Sequence, residues 1–591
     1  MEEFDLVIDG GLIIDGTGSP AFKGSVGIKG DIVAAIERFD KLKGVEIIDA
    51  TNLVVAPGFI DAHTHADKTL PIFPTADNYV MQGITTTIGG NCGNTIAPLL
   101  EWWPPNMFWD LDILYELSPY KYYFDGMLPA DEVKSKIKER YGIDFKWGSF
   151  KEFLDWLDGR RISVNHVPLV GHNTIRAEVM GPDWKRDPSD RELEKMKELV
   201  REAMEAGAFG LSTGLDYQPG VFSKTDEIIE LVKVVKEYDG IYATHWRRTG
   251  LRREKAKPIT EKIKGIIEAV EIARRTGVRV QISHITLGYS ITPLPPPNLI
   301  EAAVEATLKV INDARAEGLE ITFDIIPNTT GGTMTSLHLV NALLPWLKVA
   351  GSNEALASAL RMKDFKEEIR SIIMGGKWWG LNPIVNPYWA RFIKIVACKV
   401  EKWVGKTIEE IAKLEEMDEL DALFEVLMKD PDTKARRLGL RTDHEVAAFL
   451  RHEYCMPGLD TYAFDDKWGM KGPPFYLPHP NTYGGMARYF RRYYREMRVL
   501  SLVEAIRKAT SLPAKVFGLN SRGVLKPGAY ADVVVFDPNT ISDVEDPLET
   551  RRYPKGIHSV IVNGKIVVKN GKHTGERPGK VFRLKSKVRG S

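Results

Sequence analysis

Phe59-Ile60-Asp61-Ala62-His63-Thr64-His65 decides how the rest of the chain is read. An apolar run ends in two histidines two residues apart, and in a strand that spacing sets both imidazoles on one face at the strand end. Such a pair can chelate one metal ion, although a lone His-x-His also arises as nothing more than a polar strand end. Outward from it, short apolar runs with polar C-terminal ends alternate with helical stretches, the rhythm of a parallel βα barrel. The runs end at 61–65, 89–92, 170–172, 210–213, 244–245, 283–284, 323–324 and 458–460. Eight such strands predict an α/β fold, a (β/α)8 TIM-like barrel with its active site at the C-terminal ends of the strands.

Both chain ends have a different grammar. Residues 1–56 alternate short β-rich runs with turns at Asp9-Gly10-Gly11 and Lys29-Gly30-Asp31, which reads as a small antiparallel unit. The same pattern returns in 531–536 and 558–568. The two ends are expected to pair into one small β-sandwich domain, formed by 1–56 and by 516–591 with its C-terminal tail, around a barrel at 57–515. Two insertions are expected in the barrel. Residues 102–148 are rich in Trp, Tyr, Phe and Pro and suit a lid over the pocket mouth. Residues 350–450 carry charged helical patterns and read as a helical insertion before the last strand.

Bulk properties narrow the function. At 591 residues the chain exceeds one compact core. Its 80 Lys and Arg balance 80 Asp and Glu, so no long-range field draws it to nucleic acid or an anionic membrane, and a small-molecule substrate is expected. Three cysteines argue against a disulfide framework and for a reducing compartment. The start, Met1-Glu2-Glu3-Phe4-Asp5, is acidic where a signal peptide is basic, and no window approaches 18 uncharged apolar residues. A cytoplasmic protein is expected, with a homo-oligomer left open.

His245 and His284 each close a separate apolar run. Alone, each reads as a structural histidine. Four imidazoles at the exits of three predicted strands are harder to bury without a ligand. Cys92 lies between glycines in Gly90-Asn91-Cys92-Gly93, and thiolate with imidazole is a donor set that zinc prefers. Cys398 and Cys455 lack such company and read as structural. Asp460 ends the eighth run, ordinarily a turn residue. Opposite a zinc-activated water it could instead take a proton and pass it to a leaving amine.

Ala56-Pro57-Gly58-Phe59-Ile60-Asp61-Ala62-His63-Thr64-His65 resembles the strand-one signature of the amidohydrolase superfamily, and 518–537, with Lys526-Pro527-Gly528, resembles its return into the β-sandwich. More narrowly, Gly90-Asn91-Cys92-Gly93, Val170-Gly171-His172, Ser212-Thr213-Gly214-Leu215, Leu344-Pro345-Trp346 and Lys572-His573-Thr574-Gly575 are similar to the N-acyl-D-amino-acid deacylases, or D-aminoacylases. The resemblance implies that Cys92, His245 and His284 hold one tight zinc, that His63 and His65 line a second, weaker position, and that Asp460 is the general base and acid. It places Tyr217 where the family keeps a substrate-contacting tyrosine. Where the family has a lysine after the last zinc histidine and an arginine after His-Pro, this chain has Thr286 and Asn481. Those cations help to hold the substrate carboxylate. Free N-acyl-D-amino acids are therefore expected to be poorer substrates than carboxylate-masked analogues, unless Arg247 or Arg248 supplies the missing cation. The expected reaction is zinc-dependent hydrolysis of an amide, most simply deacylation of an N-acyl amino acid. The alternatives are a related amide (cyclic amide, carbamoyl group or small peptide) at the same site, or a non-catalytic oligomeric scaffold.

Overall fold

The computed structural model describes the chain apart from residues 1–2, 39–41, 104–126, 249–260, 290–295, 336–339, 378–382, 385, 440, 466–477 and 586–591. Its centre is a barrel of eight parallel strands: Phe59–Asp61, Ile84–Gly89, Asn165–Pro168 continued by Val170–Gly171, Gly210–Gly214, Ile241–His245, Arg279–Ile282, Ile321–Ile325 and Cys455–Pro457. Nearly every strand residue is buried, which is why the strands read as apolar runs rather than alternations. The helices between them are amphipathic. Asp190–Glu205 starts in a Ser189/Glu192 capping box and buries Met196, Leu199, Val200, Ala203 and Met204, one stripe at helical spacing.

The barrel closes between its first and last strands. The Asp460 amide donates to the His63 carbonyl at 2.8 Å, the His65 amide to the Thr461 carbonyl at 2.8 Å, and Thr64 bridges Thr461 in parallel. Under this seam lies Asp61, fully buried, whose Oδ1 accepts the amides of His63 (3.1 Å) and Leu459 (3.0 Å). Burial pushes its carboxyl up to about 8 against those bonds.

Strands from both ends of the chain join in one nine-stranded sheet, where Val533–Phe536 pairs antiparallel with Val54–Pro57 and with Ile557–Val562. Its core, including Leu6, Ile8, Val26, Ile28, Val535 and Ile561, is separate from that of the barrel, and together they make the barrel-plus-sandwich architecture. Two local expectations are corrected. Asp9-Gly10-Gly11 is not a hairpin turn: Glu3–Ile13 runs as one strand, and its pairing shifts between Ile8 and Gly11, where Gly10 takes φ +73° in a β-bulge. The N-terminal unit is also mixed rather than antiparallel, since that strand lies parallel to Lys43–Asp49 and Val54–Pro57. A buried node ties sandwich to barrel. Asp532 accepts from the Arg522 guanidinium, from Asn165 Nδ2 of the third barrel strand (3.1 Å) and from the Asn563 amide (2.8 Å).

The insertion before the last strand is not purely helical. Thr330–Thr335, Ile393–Ala397 and Lys434–Leu438 form an antiparallel three-stranded sheet, so the unit begins near Thr330 rather than at 350. Ile393 and Ile395 turn inward from this sheet, where they share a core with Leu423 and Phe424 of the helix Glu419–Lys429, apart from the barrel core. Of the expected lid, most of the run from Trp102 to Trp109 lies outside the described residues. Its described flanks are a short ribbon, Trp102–Trp103 against Leu128–Pro129, and the helix Ala130–Tyr141. No described helix is long and apolar enough to cross a membrane.

Candidate metal centre and active site

Four strand ends converge on one sulfur. Cys92 follows the second strand at φ +56°, and the end of the fourth strand comes so close that a Cβ on Gly214 would lie 2.1 Å from the Cys92 carbonyl oxygen. Cys92 Sγ stands 3.4 Å from His63 Nε2, 3.4 Å from His284 Nε2 and 3.6 Å from His245 Nδ1. Tetrahedral zinc with Zn–S about 2.3 Å and Zn–N about 2.0–2.1 Å sets its donor atoms roughly 3.5 Å apart, so the residues fit that ion. The donors fall into two groups that share the thiol: Cys92, His245 and His284, and His63, His65, Cys92 and Asp460, each with its donor atoms within 4.8 Å of one another. The sequence-predicted metal residues are thus brought together with Asp460, whose Oδ1 lies 3.0 Å from His65 Nε2 and 3.4 Å from His63 Nε2.

Backbone strain and electrostatics mark the same place. Cys92, His284 (φ +35°) and Asp460 (φ +57°) all occupy the left-handed region that non-glycine residues rarely adopt. Burial drives His284 well below the usual imidazole range, and the Arg248 charge adds to it, so His284 is a neutral donor. Burial alone would lower His63 and raise Asp460; Asp324, Cys92 and Asp460 hold His63 well above its usual range, and the two imidazoles hold Asp460 well below its own. The Asp460 side chain is 26% exposed against 0% for His63, so it is the member of the cluster that an incoming molecule meets.

Two carboxylates that the sequence reading gave no role complete the centre. Asp324, at the end of the seventh strand, accepts the His284 amide (2.8 Å) and Gln281 Nε2 (2.9 Å), and its Oδ2 stands 3.4 Å from His63 Nδ1. Asp216 lies 3.3 Å from His245 Nε2 and accepts the Arg248 amide at 3.1 Å. Each fixes the orientation of a donor ring from behind. Position at a strand end was the available signal for Asp324; Asp216, in the loop after Gly214, had none.

The expected substrate residues divide. Tyr217 packs against His245 with ring centroids 4.3 Å apart and planes tilted by 58°. Arg247 is not brought to the cluster: its Nε donates to Glu268 (2.9 Å), Nη1 to the Val221 carbonyl (3.1 Å) and Nη2 to the Ser223 carbonyl. Asn481 is buried and donates to the Leu459 carbonyl at 3.1 Å, supporting the backbone before Asp460. Arg248, by contrast, lies against the centre, with Nη1 on the His284 carbonyl at 3.2 Å.

The model of the amidohydrolase family matches residues 46–328 and 471–568, and the chain belongs to that family. The stretch left between the two matches contains the inserted unit. The chain is 30% identical to D-aminoacylase of Alcaligenes xylosoxydans xylosoxydans over 98% of both chains, and 31% identical to that organism's N-acyl-D-aspartate deacylase over 98% of this chain and 95% of the relative. Among solved structures, N-acyl-D-glutamate deacylase from Bordetella bronchiseptica, complexed with zinc and a phosphonate mimic of the tetrahedral intermediate, superposes with a TM-score of 0.68 at 28% identity, covering 98% of this chain and all of that one.

Proposed function

We propose that the protein is a zinc-dependent amidohydrolase that deacylates N-acyl amino acids. The observation that carries this reading is the convergence of one thiol, four imidazoles and Asp460 at the C-terminal mouth of the barrel, in a chain alike over its whole length to deacylases of N-acyl-D-amino acids. Cys92, His245 and His284 would hold the tighter zinc, and His63 and His65 would line a second position beside it. When bound, zinc supplies Lewis-acid polarisation of the amide carbonyl and an activated water. Asp460 Oδ1 takes the proton of the attacking water and delivers it to the nitrogen of the leaving amine, while His63 and His65 keep the carboxylate in place. Tyr217 borders the pocket and contacts substrate. The three cysteines are all free thiols, which suits a reducing compartment. In the same reading the two β-rich ends form a unit distinct from the barrel.

The test is turnover by the zinc-loaded protein against N-acyl-D- and N-acyl-L-amino acids, dipeptides and cyclic imides, with zinc measured in wild type and in Cys92→Ala. N-acyl amino acids should lead the panel and Cys92→Ala should lose most of its zinc. Absence of transition metal from protein purified without chelator would sink the reading.

A further inference from the structure

Thr286 and Asn481 leave a substrate carboxylate without its expected cations, yet two other guanidiniums stand at the barrel mouth. Arg248, three residues beyond His245, donates through Nη1 to the His284 carbonyl at 3.2 Å, and its Nε is buried with no hydrogen-bond partner among the described residues. Arg441 lies between the inserted strand Lys434–Leu438 and the helix Asp443–Leu450 that leads into the last barrel strand. In a βα barrel, the start of such a helix is at the active-site rim. Arg441 Nη1 is also buried without a partner among the described residues.

The nearby carboxylates do not answer it. Asp443 is engaged by Arg488 at 3.0 Å and by Arg492 at 2.7 Å. Glu445 accepts the Leu287 amide at 3.3 Å, and burial pushes its carboxyl up to about 7, so it is only partly charged at neutral pH. Burial lowers Arg441 itself, and the other charges acting on it are those of Glu445, Arg248, Tyr493 and Asp460. A buried guanidinium N–H without an acceptor is costly, and an anion brought in by a substrate would supply one.

Resting on the deacylase reading, we infer that Arg441 and Arg248 together hold the substrate carboxylate, in place of the family's cations at positions 286 and 481. Free acids are then the preferred substrates, the reverse of what Thr286 and Asn481 suggested in the sequence. Both arginines are specificity-determining groups that leave the proton to Asp460.

The test compares three probes on zinc-loaded wild type, Arg441→Met, Arg441→Lys and Arg248→Gln: N-acetyl-D-leucine, its amide, and N-acetyl-D-isoglutamine, whose only carboxylate is in the side chain. Each is followed by KM and kcat, and by calorimetric binding to the Asp460→Asn form, which needs no turnover. Wild type should favour the free acid over the amide, and Arg441→Met should raise KM and Kd for the acid roughly 10- to 100-fold, the scale of a charged hydrogen bond, with the amide and the zinc content unchanged. Arg441→Lys should recover part of the loss. An effect on the leucine acid assigns the α-carboxylate, and one confined to isoglutamine assigns a side-chain carboxylate. A leucine acid-to-amide ratio equal in wild type and Arg441→Met, together with an unchanged KM and Kd for isoglutamine, overturns the inference. Failure of wild type to cleave any N-acyl amino acid overturns the deacylase reading instead, and the binding ratio then judges the arginines alone.

Discussion

Asp216→Asn is expected to loosen zinc while leaving the barrel folded. His245 presents Nδ1 to Cys92 at 3.6 Å, so its proton must sit on Nε2, which faces Asp216 Oδ2 at 3.3 Å. The carboxylate is 2% exposed and is held far below the usual range: burial would raise it, but His245 and Arg248 prevail. It therefore stays charged at any working pH, makes the imidazole more basic and locks its tautomer. Asparagine keeps the shape and an acceptor but removes the charge. Changes of this kind behind a ligand typically weaken metal affinity about 10- to 100-fold, or about 1.4 to 2.8 kcal/mol. The assay is zinc competition against a chromogenic chelator, with melting of secondary structure as the control for folding. A zinc Kd within twofold of wild type, in a folded variant, would refute the claim that Asp216 tunes the centre.

Asp460→Asn should keep its zinc and fold but lower kcat by roughly 100-fold or more, the scale of a positioned proton shuttle; activity within a few-fold of wild type would mean that another group moves the proton. Asp532→Ala strands the buried Arg522 guanidinium and should cost about 3 to 5 kcal/mol in urea denaturation, a loss below about 1 kcal/mol being contrary. His166 is fully buried and burial lowers it to about 3, so below pH 6.5 the unfolded chain binds a proton that the native chain refuses. Its contribution is complete above pH 6.5 and declines by about 1.4 kcal/mol per pH unit toward pH 3. In His166→Gln that decline should vanish, and a wild-type-minus-variant stability difference that does not change between pH 7 and pH 5 would contradict the assignment.

The legible part of the site was the part written at strand ends. His63, His65, His245 and His284 each close an apolar run, and such runs announce both the strand and its polar exit. Cys92 stood out through its glycines. Arg441 did not, because Lys434-Ala435-Arg436-Arg437-Leu438 looks like charged helix and only pairing with Thr330–Thr335 and Ile393–Ala397 makes it a strand, which ends shortly before Arg441. Arg247 and Arg248 were indistinguishable as neighbours. Their roles separate only because Glu268, on a helix packed beside the fifth strand, captures the first. The Asp9-Gly10-Gly11 turn failed for a similar reason: a positive-φ glycine serves a hairpin and a bulge equally, and the partner strand decides which.

The seam between the first and last strands also sets a timetable. His65 and Asp460 are 395 residues apart in the chain, so at about 5 to 20 residues per second a ribosome makes the histidine roughly 20 to 80 seconds before its carboxylate partner. Cys92, His245 and His284 all precede Asp460, so on the proposed assignment a nascent chain can gather zinc well before it can move a proton. Until the eighth strand arrives, the sheet has two open edges exposed to other chains. On that assignment the young protein is inert as a hydrolase and at its most vulnerable to aggregation, and the same last strand ends both conditions.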